Sequence, residues 1–217
     1  DSWTHIAFVW DGSKYVIYYN GQPQTVTPST GHVELHTNKN IKIGTGNDGS
    51  IPFDGSIANF AMWSESLTDP QMLSVYNAGH NGDISLIQSS DLELYYTFNP
   101  YASTDPDTNS TVQDRSGNDN DSTSITGAVI DKTGTVAGTP DSITIREGLN
   151  SNKDGLGFPL TNPTSNIVRF SRNGLAEHLS IPITKAFDIQ GSFTVEFLMK
   201  QPYMGSGYQQ IINRDDT

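Results

Sequence analysis

Five aspartates sit where a carboxylate could meet a hard cation: Asp48 in Gly46-Asn47-Asp48-Gly49, Asp54 in Phe53-Asp54-Gly55, and Asp114, Asp119 and Asp121 in Asp114-Arg115-Ser116-Gly117-Asn118-Asp119-Asn120-Asp121. Calcium takes about six to eight oxygen ligands, and Gly/Asn-rich loops let carboxylates and backbone carbonyls converge on it. Calcium is therefore the cofactor these positions suggest. The same residue types also build turns by hydrogen-bonding their own backbone, and no stretch has the spacing of an EF-hand. A second chemistry is sugar stacking. Trp10, Tyr19, Tyr101 and Tyr203 lie near loops or strand ends, with Asn and Asp nearby to meet hydroxyls. Trp3 and Trp63 are expected to pack in the core, the usual place of large aromatics. The histidines His5, His32, His36, His80 and His178 are scattered, and no Ser-His-Asp set, nucleophile elbow or His-rich metal motif occurs.

Composition narrows the classes. With 12 basic against 24 acidic residues the chain carries a formal charge of -12 and no basic stripe, which argues against a nucleic-acid partner. Cysteine is absent, so disulfides, thiolate metal sites and cysteine nucleophiles are excluded together. The lack of disulfides points to a bacterial or viral source rather than an animal extracellular one. No apolar run approaches the roughly 18 residues of a membrane-spanning helix, so no membrane insertion is expected. Modest hydrophobic content with many Gly, Pro, Asn, Ser, Thr and Asp reads as a loop-rich β protein.

The elements that must position these residues are short strands. Thr4 to Trp10 and Tyr15 to Asn20 are β-branched and aromatic, and Asp11-Gly12-Ser13-Lys14 between them is turn chemistry, so a hairpin is predicted. Asn20-Gly21 marks a second turn. Ile41 to Gly44, Phe53 to Trp63, Leu92 to Phe98, Ile143 to Ile145, Ile167 to Phe170, Glu177 to Ile181, Phe193 to Lys200 and Tyr208 to Asn213 also read as strands. Strict alternation over the second of these sets Ile57, Asn59, Ala61 and Trp63 on one face and Ala58, Phe60 and Met62 on the other. One helix is predicted in residues 66–79, capped by Thr68 or Asp69, with Pro70 in its first turn and Gly79 as its stop. Residues 81–91 read as a linker, and residues 99–124 as loop. The sum is an all-β, antiparallel β-sandwich of jelly-roll type with one short helix.

Two blocks resemble the laminin-G-like family of concanavalin A-type lectin and glucanase jelly rolls. Trp3 to Gly21, Ile41 to Gly44, Phe53 to Trp63 and Leu67 to Gly79 are similar to the C-terminal half of such a domain; "strand, Leu-Thr-Asp, short helix, Tyr-Asn-x-Gly" is its specific part. Leu92 to Asp121, Asn166 to Ile181 and Phe193 to Asn213 are similar to the N-terminal half. Phe170-Ser171-Arg172-Asn173-Gly174 stands where the family has Phe-Asp-Gly, so an Asp ligand is missing at that point. The blocks come in reversed order. The preferred division is therefore residues 1–84 as the end of one domain, 85–91 as linker and 92–217 as the start of the next, the alternative being one permuted domain. The stretch Asn152 to Pro163 resembles inserts in tandem laminin-G-like virion proteins of marine bacteriophages, particularly cyanophages.

The resemblance implies a calcium at the sandwich rim and a non-enzymatic module, extracellular or on a virion surface. Its expected partners are cell-surface or extracellular glycans, or other subunits of the same virion or surface assembly. A purely architectural decoration or fibre module is the first alternative. A glycan-degrading enzyme is the second, because related glucanases share this fold. Such hydrolysis needs paired carboxylates in one cleft, whereas strand Phe193 to Lys200 offers only Glu196 and strand Leu92 to Phe98 only Glu93.

Overall fold

The computed structural model describes residues 3–24, 40–46, 52–79, 82–98, 107–108, 110–130, 168–170, 177–182, 191–201 and 209–214. The strands expected at 143–145, the insert at 152–163, and Asp48, Tyr101 and Tyr203 lie outside them.

The described strands are β1 (Thr4–Trp10), β2 (Tyr15–Tyr19), β3 (Gln22–Gln24), β4 (Ile41–Ile43), β5 (Gly55–Trp63), β6 (Leu92–Tyr96), β7 (Ser124–Thr126), β8 (Val129–Ile130), β9 (Val168–Phe170), β10 (His178–Ile181), β11 (Phe193–Lys200) and β12 (Ile212–Arg214). A single α-helix among the described residues, α1 (Asp69–Ala78), follows β5, and a 3-10 turn (Ser89–Asp91) precedes β6. The large sheet runs β3-β2-β1-β11-β5-β9-β8, with β6 also paired to β5; the small sheet runs β12-β4-β10-β7. Every described pairing is antiparallel. The fold is thus the all-β antiparallel sandwich expected from the strand pattern.

The hairpin β1–β2 forms for local reasons. Asp11 Oδ1 accepts hydrogen bonds from Ser13 N and Lys14 N, each at 2.9 Å, and so closes the turn. The next turn uses Asn20 at φ 50° and Gly21 at φ 73°, the left-handed pair that suits a tight hairpin. Gly21 has a second reason to be glycine: a Cβ there would come within 2.8 Å of the Tyr76 side chain on α1.

Two cores flank the large sheet. Between the sheets, Ile57, Phe60 and Met62 of β5 and Val195 and Phe197 of β11 pack on Ile41, Ile43, Leu179 and Ile181 of the small sheet. On the opposite face, Ala61 and Trp63 pack with Ala7, Val9 and Tyr18 against Leu67, Met72 and Val75 of the helical segment. Strict alternation had set Ile57 with Ala61 and Trp63, and the structure corrects this. The β5–β11 register slips between Phe197 and Leu198, so that Phe60 and Ala58 face successive partner residues and Asn59 bulges out at φ 52°. A bulge adds one residue without a partner and resets the face of everything beyond it.

α1 starts where expected. The Thr68 N–H donates to Gln71 Oε1 at 2.9 Å, and Pro70 occupies the first turn, where no helical donor is lost. Met72, Val75 and Tyr76 face the sheet. Tyr18 Oη donates to Asp69 Oδ1 at 2.5 Å and ties the helix start to β2. Residues 85–91, read from the sequence as a linker, pack closely: Ile84 just before them is 1% exposed, Trp63 Nε1 donates to the Ile87 carbonyl at 2.8 Å, and Gln71 Nε2 donates to Gln88 Oε1 at 2.7 Å. Among the described residues no helix is long and apolar enough to cross a membrane.

Candidate functional site: an aromatic ledge and a capped sheet edge

Strand alternation and register decide what β1 and β2 present. Ile6 lies opposite Tyr19, Phe8 opposite Ile17 and Trp10 opposite Tyr15, all on the face that looks toward the small sheet. Burial on this face declines strand by strand. On β5, Ile57 and Phe60 are fully covered; on β11, Val195 and Phe197 are 6% exposed; on β1, Ile6 and Phe8 are half-buried; on β2, Tyr19 is 50% exposed. Among the described residues the large sheet has eight strands and the small one four, and the decline in burial toward β2 leaves a ledge of apolar and aromatic side chains.

The ledge is packed at one end. Tyr15 packs on Trp10 with ring centroids 4.4 Å apart and on Phe8 at 4.9 Å, and Phe8 meets Phe193 at 5.9 Å. Trp10 is only 8% exposed, so it supports the ledge, while Tyr19 offers the open ring. Tyr15 and Ile17 belong to the same strip and were not among the residues singled out from the sequence. Their signal was present in the alternate positions 15, 17 and 19 of one strand.

Four aspartates of the metal reading are described. Asp54 is half-buried, and its N–H donates to Gln209 Oε1 at 3.0 Å. Asp119 is exposed at φ 56°. Asp114 accepts through both oxygens: Oδ1 from Tyr95 N and Ser116 N, Oδ2 from Ser116 Oγ and Asn120 N, at 2.7–3.0 Å. Asp121 Oδ1 accepts from Asp114 N at 2.8 Å. A cation needs lone pairs, and those of Asp114 already face N–H and O–H donors. Among the described residues no group of three or more His, Cys, Asp or Glu could hold a metal ion. Asp114 is thus committed to its own loop, and Asp48 lies outside the described residues.

The loop instead completes a sheet. One edge of β6 pairs with β5, and along the other edge side chains of residues 114–120 take the place of a strand. The Tyr95 N–H donates to Asp114 and its carbonyl accepts from Arg115 N at 2.7 Å. The Glu93 carbonyl accepts from Asn120 Nδ2 at 2.8 Å and Ser116 Oγ at 3.2 Å, and the Leu92 carbonyl from Asn118 Nδ2 at 2.8 Å. Unpaired edges invite other chains, and this one is closed. Asn120 is fully buried, and Tyr96 Oη donates to its carbonyl at 2.7 Å.

The two strand glutamates do not meet in an open cleft. Glu196 points to the helix-covered face, 2% exposed, between Ala7 and Ala61 on the neighbouring strands. Its Oε2 lies 3.5 Å from His5 Nε2, and His5 is also buried. Glu93 accepts from Ser64 Oγ at 2.7 Å. Of the tryptophans expected in the core, Trp63 is fully buried, whereas Trp3 is only partly covered, beside Ala58, Tyr76 and Leu198.

Compared with known proteins, residues 1–72 match the laminin-G family model described as the concanavalin A-like lectin/glucanases superfamily. The match spans β1 through β5 and the first turn of α1, and so includes the whole ledge hairpin. No curated protein matches the chain. No solved structure matches it either.

Proposed function

We propose that the chain is a non-enzymatic adhesion module, displayed at a cell or virion surface, that holds a glycan on the β1–β2 ledge. One observation carries this reading: burial falls away across the large sheet until Tyr19 stands half exposed, at the opposite end of the strip from the packed Tyr15–Trp10–Phe8 cluster. A rigid aromatic with a polar rim suits a sugar ring, which is apolar on its faces and hydroxylated at its edge. The match of the hairpin to a lectin/glucanase superfamily supports the same chemistry. The burial of Glu196 beneath α1 supports binding without hydrolysis.

The two segments 1–84 and 92–217 are read as parts of one unit, the permuted organisation. The placement of β11 between β1 and β5 supports this. A neighbouring subunit is the second reading of the partner, favoured by Leu86, which is 85% exposed, and Leu73 at 40% on the helical side.

A glycan array probed with the protein and with Tyr19→Ala, in calcium and then in chelator, tests the proposal. Selective binding lost in the variant supports it. Binding that survives the chelator fits the hydrogen-bonded role of Asp114. Absence of binding throughout transfers the assignment to an architectural module.

A further inference from the structure

We propose that the ledge takes a neutral, linear polysaccharide and rejects sulfated and uronate chains; this rests on the ledge reading above. The side chains that β1 and β2 present there are Ile6, Phe8, Trp10, Tyr15, Ile17 and Tyr19. None can carry a positive charge at neutral pH, so nothing on the strip can pair with a sulfate or carboxylate. The surrounding field opposes such groups as well: 24 acidic against 12 basic residues leave the chain at -12. A surface charged in one sense raises the local concentration of ligands of opposite sign and lowers that of like sign. A neutral sugar avoids this repulsion and needs only an apolar ring face and hydroxyl-bearing edges, which tyrosines provide.

Linearity follows from shape. From Tyr15 to Tyr19 the strip runs four residues along β2, where Tyr15 and Ile17 are half-buried and Tyr19 is exposed, roughly 13 Å at about 3.3 Å per residue. That is longer than one sugar ring, and the strip is open at the Tyr19 end. Because no ion pair contributes, the affinity will be insensitive to salt, unlike binding that depends on exposed charges.

The test is titration calorimetry of the full chain with a neutral β-glucan, a neutral mannan, alginate and a sulfated galactan, at about 50 mM and about 500 mM NaCl, a range over which exposed charges become screened. We expect binding to a neutral polymer that changes less than about twofold with salt, weakens about tenfold in Tyr19→Ala, and is largely kept in Tyr19→Phe. Tyr19 is half exposed, so both variants will fold, with circular dichroism as the check. Binding to alginate or the sulfated galactan that needs Tyr19 and fades with salt overturns the neutral-ligand assignment while leaving the ledge in place. Binding unaffected by Tyr19→Ala removes the ledge as the site. No binding to any polymer overturns the ledge reading and this proposal with it.

Discussion

Asp114 joins β6 through both of its oxygens to the loop that closes its edge. Removing an acceptor leaves its partly buried donors unpaired, each costing about 1–3 kcal/mol less whatever water restores. Asp114→Ala should therefore destabilise by about 2–4 kcal/mol in urea melts, and the loss should be the same with calcium and with chelator. A calcium-dependent melting temperature in the unaltered protein would reinstate the metal. Three other aspartates contribute to the acidic limb. Hydrogen bonds from Ser13 hold Asp11 below its ordinary value of 3.8, and bonds from Ser85 and from Ser90 do the same for Asp83 and Asp91. Where a folded-state pKa is lowered, stability is present above the unfolded value and is lost as pH falls through the folded one. The urea midpoint should accordingly be flat down to about pH 4 and decline below it. All three groups are solvent-screened, so Asp11→Asn should soften that limb only slightly.

At the level of elements, Asn59 decides which side chains of β5 reach which core. Its left-handed φ of 52° would cost most residues about 1–2 kcal/mol, and its Nδ2 donates to the Gly79 carbonyl at 3.3 Å. Asn59→Ala should cost about 2–3 kcal/mol, whereas Asn59→Gly, which keeps the φ and loses only the side chain, should cost about 1 kcal/mol. Equal losses in chemical denaturation would mean that the bulge geometry contributes nothing. This residue also marks where reading the sequence reaches its limit. The hairpin, α1 with Thr68, Pro70 and Gly79, and the alternating β11 were legible, because turn residues, caps and period-two patterns act over a few positions. The bulge was not, since a lone Asn inside a strand has no local signature, and without it Ile57 falls on the wrong face. The capped edge was not legible either: Asp114, Asn118 and Asn120 have turn chemistry and ligand chemistry alike, and only the position of β6 separates the two. The exposure of Tyr19 depends on its place near the edge of the large sheet, a property no single segment contains.

At the scale of the whole molecule, three tyrosines shape the expected response to alkali. Burial raises the hydroxyl pKa of Tyr18, Tyr95 and Tyr96 above the usual 10.0, with Asp69 adding to the first, Glu196 and Asp83 to the second, and Asp114, Asp121 and Asp107 to the third. Raised values mean that the neutral form belongs to the fold. Their stabilisation is complete below about pH 10 and is lost as pH rises above it. Melting temperature should hold to that point and then drop, and Tyr95→Phe should shallow the drop at the expense of its bond to the Gly82 carbonyl. The position of β11 has a different consequence. β1 and β5 never touch as paired strands; β11 joins them, yet it begins at Phe193, 130 residues after β5 ends at Trp63 (193 - 63 = 130). Chains emerge from the ribosome at about 5–20 residues per second, so during synthesis the facing edges of β1 and β5 wait on the order of ten seconds for the strand that separates them. Through that interval they are two apolar, unpaired edges on one nascent chain, the pairing most available to them is with each other, and it would exclude the central strand. The topology thus sets an early neighbour against a late one, and slower translation is expected to lower the yield of folded protein, as in vitro translation at two elongation rates would check.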